Sequence, residues 1–277
     1  MESKTIAILG TGSMGGAILK GLIASGIRPA NINATTKSTK SAASLIESLK
    51  IQAFALEQNP DANSQAVKGA EVIVLGVKPA QILEVCKSIS SSLKDGAVVI
   101  SVAAGITTQA MELSLGDRVP VIRAMPNTPA VVGLGVTGIS KGTSASVEDL
   151  ETARALFETV GKVLVVEEEQ INALSTISGS GPAYVFYFTE KLIAAALRLG
   201  FSQSEAELMV KETLLGSATL MAKSKESPET LRANVTSPNG TTMQAIARFD
   251  AADLEKVIAE ATEAALARAI ELGSLSS

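Results

Sequence analysis

The sequence predicts an α/β N-terminal domain with a parallel sheet, followed by an all-α C-terminal dimerisation domain. Three observations carry that prediction. Short apolar β runs alternate with helical stretches as far as about residue 166, the pattern of a sheet covered on both faces. A G-x-G-x-x-G follows the first apolar run and opens a helix, which makes this a Rossmann-type dinucleotide-binding domain. After Glu167 the strand signals vanish and Ala- and Leu-rich helical pattern takes over. The 277 residues are close to twice a typical domain of roughly 150, so the boundaries are set at 1–166 and 167–277.

Residues 5–9 form a short apolar strand, and 14–24 a helix closing at Gly26. Further strands are predicted at 32–35, 52–55, 72–77, 98–102 and 119–123. Between them lie helices at 42–49, 64–68, 80–93 and 108–115. A glycine-rich piece at 131–139 reads as an added strand or hairpin, and helix 147–160, capped by Ser146, precedes strand 162–166. Helical pattern then covers 170–177, 182–199, 204–222, 229–234, 242–249 and 252–272. Ser202 and Glu205 have capping-box spacing, and Gly200 and Gly273 stand where C′ glycines belong. Segments 193–197 and 261–270 are apolar on more than one face. A domain of about 110 residues cannot bury several such helices alone, which predicts a homodimer and leaves a ring of dimers open.

Composition excludes several classes. The net charge is −4, with 24 basic and 28 acidic residues and no long run of either sign, so no nucleic-acid partner is expected. No apolar stretch approaches the roughly 18 residues of a membrane span, and glycines interrupt the apolar start, unlike a signal peptide. One cysteine, Cys86, rules out an internal disulfide and suggests a reducing, cytoplasmic setting. The absence of histidine excludes a Ser-His-Asp triad, a histidine proton relay and histidine metal ligands, and no metal is predicted. Proton chemistry falls to Lys, Tyr, Thr, a carboxylate, water or the substrate itself.

In the glycine motif, Gly10 permits the tight turn, Gly12 lets the backbone approach a pyrophosphate, and Gly15 lets helix pack on strand. Thr11, Ser13 and Met14 complete the turn into the helix, whose first N–H groups suit phosphate. An NAD site places an acid at the end of the second strand, yet no acidic residue lies between Glu2 and Glu47. Thr35, Thr36, Lys37, Ser38, Thr39 and Lys40 stand there instead and suit a 2′-phosphate, so NADPH is the preferred cofactor, with NADH also open. The bland alternatives are a ligand-free glycine turn and a solvated turn with incidental lysines. Gly76, Val77, Lys78 and Pro79 at one strand end, and Val102, Ala103 and Ala104 at the next, line the cofactor or merely pack helix on sheet. Residues 125–129, with two prolines, make a rigid loop over the nicotinamide end.

Two segments break pattern in the helical domain. At 178–184, Pro182 suits a first helical position, and the Ser and Gly residues before it leave N–H groups free for a carboxylate; the alternative is a plain cap with a bend. At 235–242 a turn feeds another helix, with Thr241 or Thr242 as its cap and the same anion-binding geometry. Two such helix starts point to a small acidic substrate.

These residues together resemble the pyrroline-5-carboxylate reductase family. The likeness covers essentially the whole chain and rests on 8–16, 77–79, 123–129, 178–184 and, most specifically, 231–250. The family usually reads Gly at the position of Asn239; Asn also tolerates a left-handed turn. The resemblance implies a helical domain interlocked with its twofold mate, an active site between the domains, and reduction of (S)-1-pyrroline-5-carboxylate to L-proline, the last step of proline biosynthesis. It places cofactor contacts on Ile8, Leu9 and the turn to Ser13, on Thr36, Lys37 and Ser38, on Asn63, and on 76–79 and 102–104, with Asn234 reaching the cofactor from the helical domain. Substrate contacts fall on Glu168, Ala233, Asn234, Thr241 and Thr242, with Ser180 nearby, several of them from the partner subunit.

The implied chemistry suits a chain without histidine. A protonated cyclic imine accepts hydride without a strong base, so catalysis is mostly positioning. Thr242 is the candidate that hydrogen-bonds the ring nitrogen, and the backbone N–H groups of Gly240, Thr241 and Thr242 are those that hold the carboxylate. One rival is a reductase of another cyclic imine or a β-hydroxy acid, the latter needing a helical-domain lysine; Lys191 and Lys211 are the candidates, without a matching glycine-rich approach. A rival of another kind is a non-catalytic NADP sensor, which would have no need of the 237–242 turn.

Overall fold

The computed structural model describes residues 1, 3–116 and 118–274. It divides into two compact units, one of Met1–Ser180 with Ala265–Ser277 and one of Gly181–Ala264.

The first unit is built on one sheet of eight strands. β1 (Ile6–Leu9), β2 (Ile32–Thr36), β3 (Gln52–Ala55), β4 (Val72–Leu75), β5 (Val98–Ser101), β6 (Val121–Met125), β7 (Gly135–Lys141) and β8 (Gly161–Val165) lie in the order β3-β2-β1-β4-β5-β6-β7-β8. β1 sits between β2 and β4, Ile6 pairing with both Ile32 and Val72, all parallel. The chain therefore reverses its direction of winding at β1 and β4, where an open α/β sheet leaves its ligand crevice. β7 alone runs against its neighbour β6, with Met125 opposite Gly138. Only nine residues join the two strands, too few for the dozen or more that a parallel crossover needs.

Alternation along β1 divides the core. Ile6 and Ile8 face one side with Leu19, Leu22, Ile100 and Phe157. Ala7 and Leu9 face the other with Ile73, Leu75, Ile82 and Met111. Each fully buried Leu or Ile contributes about 1.5–3 kcal/mol of transfer free energy. Cys86 lies in the second cluster, where burial pushes its thiol up to about 12, an inert side chain.

Helices α1 (Ser13–Ala24), α2 (Thr39–Leu49), α3 (Ala62–Val67), α4 (Ile82–Ile89), α5 (Thr108–Leu115) and α6 (Val147–Phe157) cover the sheet. The helix predicted over 80–93 is α4 alone, flanked by 3-10 turns at Pro79–Gln81 and Ser90–Ser92. Ser146 caps α6 in a reciprocal box with Asp149. The strand predicted at 119–123 runs from Val121 to Met125, and Pro126 stops it.

The helix expected from 182 begins at Gly181, but the free N–H groups expected just before it are corrected. α7 (Gln170–Leu174) passes into a π-helical turn, Ser175–Gly179, and α8 (Gly181–Arg198) follows one residue later. The Ser180 N–H donates to Ser175 O at 2.8 Å and is not free for a ligand. Small residues made the segment look like a break, but one wide turn absorbs them.

The second unit holds α8, then α9 (Gln203–Lys223), α10 (Pro228–Asn234), α11 (Thr241–Ala251) and the start of α12 (Leu254–Ser274). Ser202 and Glu205 form the expected capping box on α9, and Gly200 is left-handed at φ +95°. Gly273 is no C′ residue: α12 runs through it to Ser274, and a side chain on Gly105 would lie 3.6 Å from its Cα. The unit buries little. Tyr184, Val185, Phe186, Tyr187 and Phe188 on α8 are all exposed, Phe186 and Tyr187 at 61%. So large an exposed apolar stretch marks an interaction surface.

Candidate functional site

The glycine loop lies at the carboxyl end of β1. Gly10 is left-handed at φ +87°, and a Cβ there would stand 2.9 Å from Val77 Cγ1. A Cβ on Gly15 or on Gly76 would collide with the Gly10 carbonyl, so these three glycines are demanded by the chain itself. Gly12, the N-cap of α1, differs: a Cβ there meets nothing within 4 Å. Its room serves whatever approaches from outside. Gly12→Val is therefore expected to leave the melting temperature within about 2 °C and to weaken NADPH binding at least tenfold, as calorimetry would read; Gly15→Val should instead destabilise the fold.

One side chain fastens this loop. Thr35, 1% exposed, receives the Gly10 N–H on its hydroxyl at 3.1 Å, and its carbonyl accepts from the Thr11 N–H at 3.1 Å and the Thr11 hydroxyl at 3.2 Å. Its own hydroxyl donates to Asn63 Oδ1 at 2.9 Å. Asn63 is thus placed at the cleft by α3, and Thr35 has a structural part its sequence position did not announce.

An open cleft of about 660 Å³ joins Gly10, Thr11 and Gly12 to Thr36, Lys37, Asn63, Gly76, Val77 and Lys78. Nine predicted cofactor positions separated along the chain thus meet in one place. Ser41, Leu56, Gln81 and Val85 line it too, unforeseen. Ser13 opens α1 on the exposed side, whereas the side chains of Ile8 and Leu9 are wholly buried and Met14 packs on the core. The predicted hydroxyls at the β2–α2 turn are engaged locally: Thr36 donates to Ser38 O at 2.8 Å, and Ser38 caps α2 by accepting from Ser41 N–H at 3.2 Å. Lys37 remains an exposed cation without an ion pair among the described residues.

Pro79 and Ala104 line a second, smaller cavity of about 170 Å³, with Gly105, Arg123, Met125, Asn172 and Ser175. Val102 and Ala103 stand behind it: Val102 N–H donates to Leu75 O, and Ala103 is buried. Arg123, 4% exposed, holds Glu168 at 3.4 Å and Asn172 at 2.8 Å. Burial pulls its guanidinium below the ordinary value, and Glu168 opposes that pull. Glu168 also accepts from the Thr108 N–H at 2.8 Å and hydroxyl at 2.6 Å. Both its oxygens are thus used within the first unit, tying α5 and α7 to the sheet. Asn127 likewise bridges the Val136 N–H at 2.8 Å and Ser178 O at 2.9 Å, so the proline-rich loop is pinned from both sides.

In the second unit, the turn before α11 places Asn239 left-handed at φ +59°, the conformation Asn tolerates. The cap is Gly240, whose N–H donates to Ser237 O at 3.0 Å, and not Thr241 or Thr242 as the sequence suggested. The threonines fall one and two residues too late to cap. Their hydroxyls make no hydrogen bond among the described residues, and both are exposed. Asn234 donates to Glu226 at 3.0 Å, and Ala233 lies beside it at the end of α10. Lys191 lies 4.4 Å over the Tyr187 ring, and Lys211 pairs with Glu207, so neither is poised as an acid.

Comparison with known proteins gives consistent results. A family profile for pyrroline-5-carboxylate reductase dimerisation matches residues 168–272, and one for coenzyme F420-dependent NADP oxidoreductases matches 5–105. The chain is 40% identical to pyrroline-5-carboxylate reductase of Corynebacterium melassecola over 97% of its length and 98% of the relative's. With the Pseudomonas aeruginosa enzyme of that name the identity is 36%, over 98% of each. Among solved structures, a pyrroline-5-carboxylate reductase from Coxiella burnetii superposes with a TM-score of 0.91 at 37% identity, covering 98% of both chains. The Plasmodium falciparum pyrroline carboxylate reductase with NADP bound gives 0.85 at 26% identity, covering 99% of both.

Proposed function

The chain belongs to the pyrroline-5-carboxylate reductase family and carries out the last step of proline biosynthesis, reduction of the C=N bond of (S)-1-pyrroline-5-carboxylate to L-proline with NAD(P)H; on that premise we propose how its residues divide the work and that NADPH is the preferred donor. The observation that carries the proposal is the cleft at the β1–β4 reversal, where glycine loop, Lys37 and 76–78 converge.

The cleft fits a dinucleotide. The open face of Gly12 and the first N–H groups of α1 suit a pyrophosphate, and Lys37 suits a 2′-phosphate. When bound, the dihydronicotinamide supplies a hydride. Gly76, Val77 and Lys78 carry the next part of the cofactor, and Pro79 and Ala104 wall the adjoining cavity. Glu168 serves as an anchor through Arg123 and Thr108 rather than as a free carboxylate.

Substrate is assigned to the start of α11. The N–H groups of Thr241 and Thr242 hold the carboxylate, aided by the positive end of the helix, whereas that of Gly240, expected to join them, is already given to Ser237 O. The Thr242 hydroxyl holds the ring nitrogen, where hydride arrival at carbon leaves a secondary amine. Ala233 and Asn234 flank the substrate, and Ser180 belongs to the same assignment. No side chain of the chain need act as a strong base, consistent with its lack of histidine. The dimerisation domain supports homo-oligomerisation, and the exposed α8 face supports a helix-exchanged homodimer that a ring could repeat. The buried thiol supports a reducing, cytoplasmic setting.

NADPH oxidation by purified protein with racemic pyrroline-5-carboxylate, beside NADH and a no-imine control, tests the reading. Proline formation with a lower KM for NADPH is expected; cofactor binding without turnover would refute it. Lys37→Glu should raise the KM for NADPH about tenfold and that for NADH less than about twofold. Equal effects on both would remove Lys37 from the 2′-phosphate site.

A further inference from the structure

The sequence lacks an acid at the end of β2, yet the fold brings one there. β2 and β3 pair in parallel, with Thr36 beside Ala55. The pairing continues past the strands: Leu56 N–H donates to Thr36 O at 3.0 Å and Glu57 N–H to Lys37 O at 3.1 Å. Glu57 thus emerges level with Lys37, and both line an open groove with Ser38 and Leu56. Lys37 and Leu56 also line the larger cleft, so groove and cleft adjoin at these two residues.

The Glu57 carboxylate does not neutralise Lys37, since no ion pair joins them among the described residues. It turns instead to the first residue of α2, accepting from the Thr39 N–H at 2.9 Å and the Thr39 hydroxyl at 3.2 Å. Those bonds, the backbone one first, hold its carboxyl below the usual range, so it is anionic at neutral pH. α2 already has its cap in Ser38, and a neutral acceptor would serve Thr39 as well. The helix needs no charge there. The charge has its consequence at the neighbouring nucleotide site, where a fixed anion beside the positive end of α2 competes for the field that would favour phosphate.

We propose that Glu57 is a cofactor-specificity residue: fixed to Thr39 beside Lys37, its carboxylate opposes the 2′-phosphate that Lys37 attracts, which restrains the preference for NADPH and keeps NADH usable. This rests on the assignment of the cleft to the cofactor. A site read by Lys37 alone would favour NADPH over NADH more strongly than one in which a cation and an anion stand side by side.

The test is calorimetric titration of the full-length protein and its Glu57→Gln variant with 2′,5′-ADP and with 5′-AMP, at low salt and at about 0.5 M salt. Gln keeps an acceptor for Thr39 and removes only the charge. The variant should bind 2′,5′-ADP about fivefold more tightly and 5′-AMP within about twofold of the original, and the gain should shrink in salt. The ratio of KM values for NADPH and NADH should fall in parallel. An unchanged ratio of the two nucleotide affinities, or a fall in selectivity for 2′,5′-ADP, would overturn the proposal and leave Glu57 a helix-end contact. Failure of the unaltered protein to bind either nucleotide would overturn the cofactor assignment beneath it, a different result from either.

Discussion

Thr242→Val is expected to lower kcat/KM for the imine about 100-fold, the order contributed by a positioned proton donor or hydrogen bond at a reacting atom. The hydroxyl has no hydrogen-bond partner among the described residues, so removing it leaves no orphaned group there, and Gly240 still caps α11. Thermal stability and NADPH affinity should therefore stay as they were while turnover falls. Thr242→Ser, which keeps the hydroxyl, should recover most of the loss. Steady-state rates at saturating NADPH, with a thermal melt of each variant, decide the matter: unchanged turnover in the valine variant ends the assignment of Thr242 to the ring nitrogen.

Phe186→Asp is expected to weaken self-association about 100-fold or more, enough to yield monomers at low micromolar concentration. Phe186 stands at the centre of the exposed run from Tyr184 to Phe188, and no element of the described chain covers it. In the homodimer proposed above that face is buried against a second copy, where a carboxylate without a partner is strongly disfavoured. The exposed site means the substitution costs the isolated subunit little. Sedimentation velocity over a concentration series reads the result, and an unchanged mass would show that α8 faces something other than a second copy.

The sequence reached local features well and distant ones poorly. The strand–glycine loop–helix unit, the caps at Ser146 and Ser202 and the left-handed Asn239 all depend on residues a few positions apart, where spacing speaks directly. Glu168 escaped that logic because its partners Thr108 and Arg123 lie 60 and 45 residues away. Glu57 escaped for the same reason: the strand pairing of Thr36 with Ala55, not the spacing of charges, sets it beside Lys37. The π-helical turn is hidden because Ser178, Gly179, Ser180, Gly181 and Pro182 carry the composition of a break, and composition does not register that one wide turn can satisfy the backbone. Propensity points to the threonines at 241 and 242 as caps because Thr suits that place, whereas the preceding turn ends one residue earlier, at Gly240.

The hydrogen bonds that gather on Thr35 bear on the thermodynamics of recognition. Gly10, Thr11 and Asn63 are all tied to that one residue, so the glycine loop assigned to the phosphates is held in shape by the chain's own bonds. Arrival then freezes few backbone torsions, and little affinity is lost to ordering the loop. In the cofactor assignment proposed above, the same cradle meets the part common to both dinucleotides and gains equally from each. Discrimination must then arise where the two molecules differ, and replacing Thr35 by Val should loosen both dinucleotides by a similar factor while their relative affinities stay fixed.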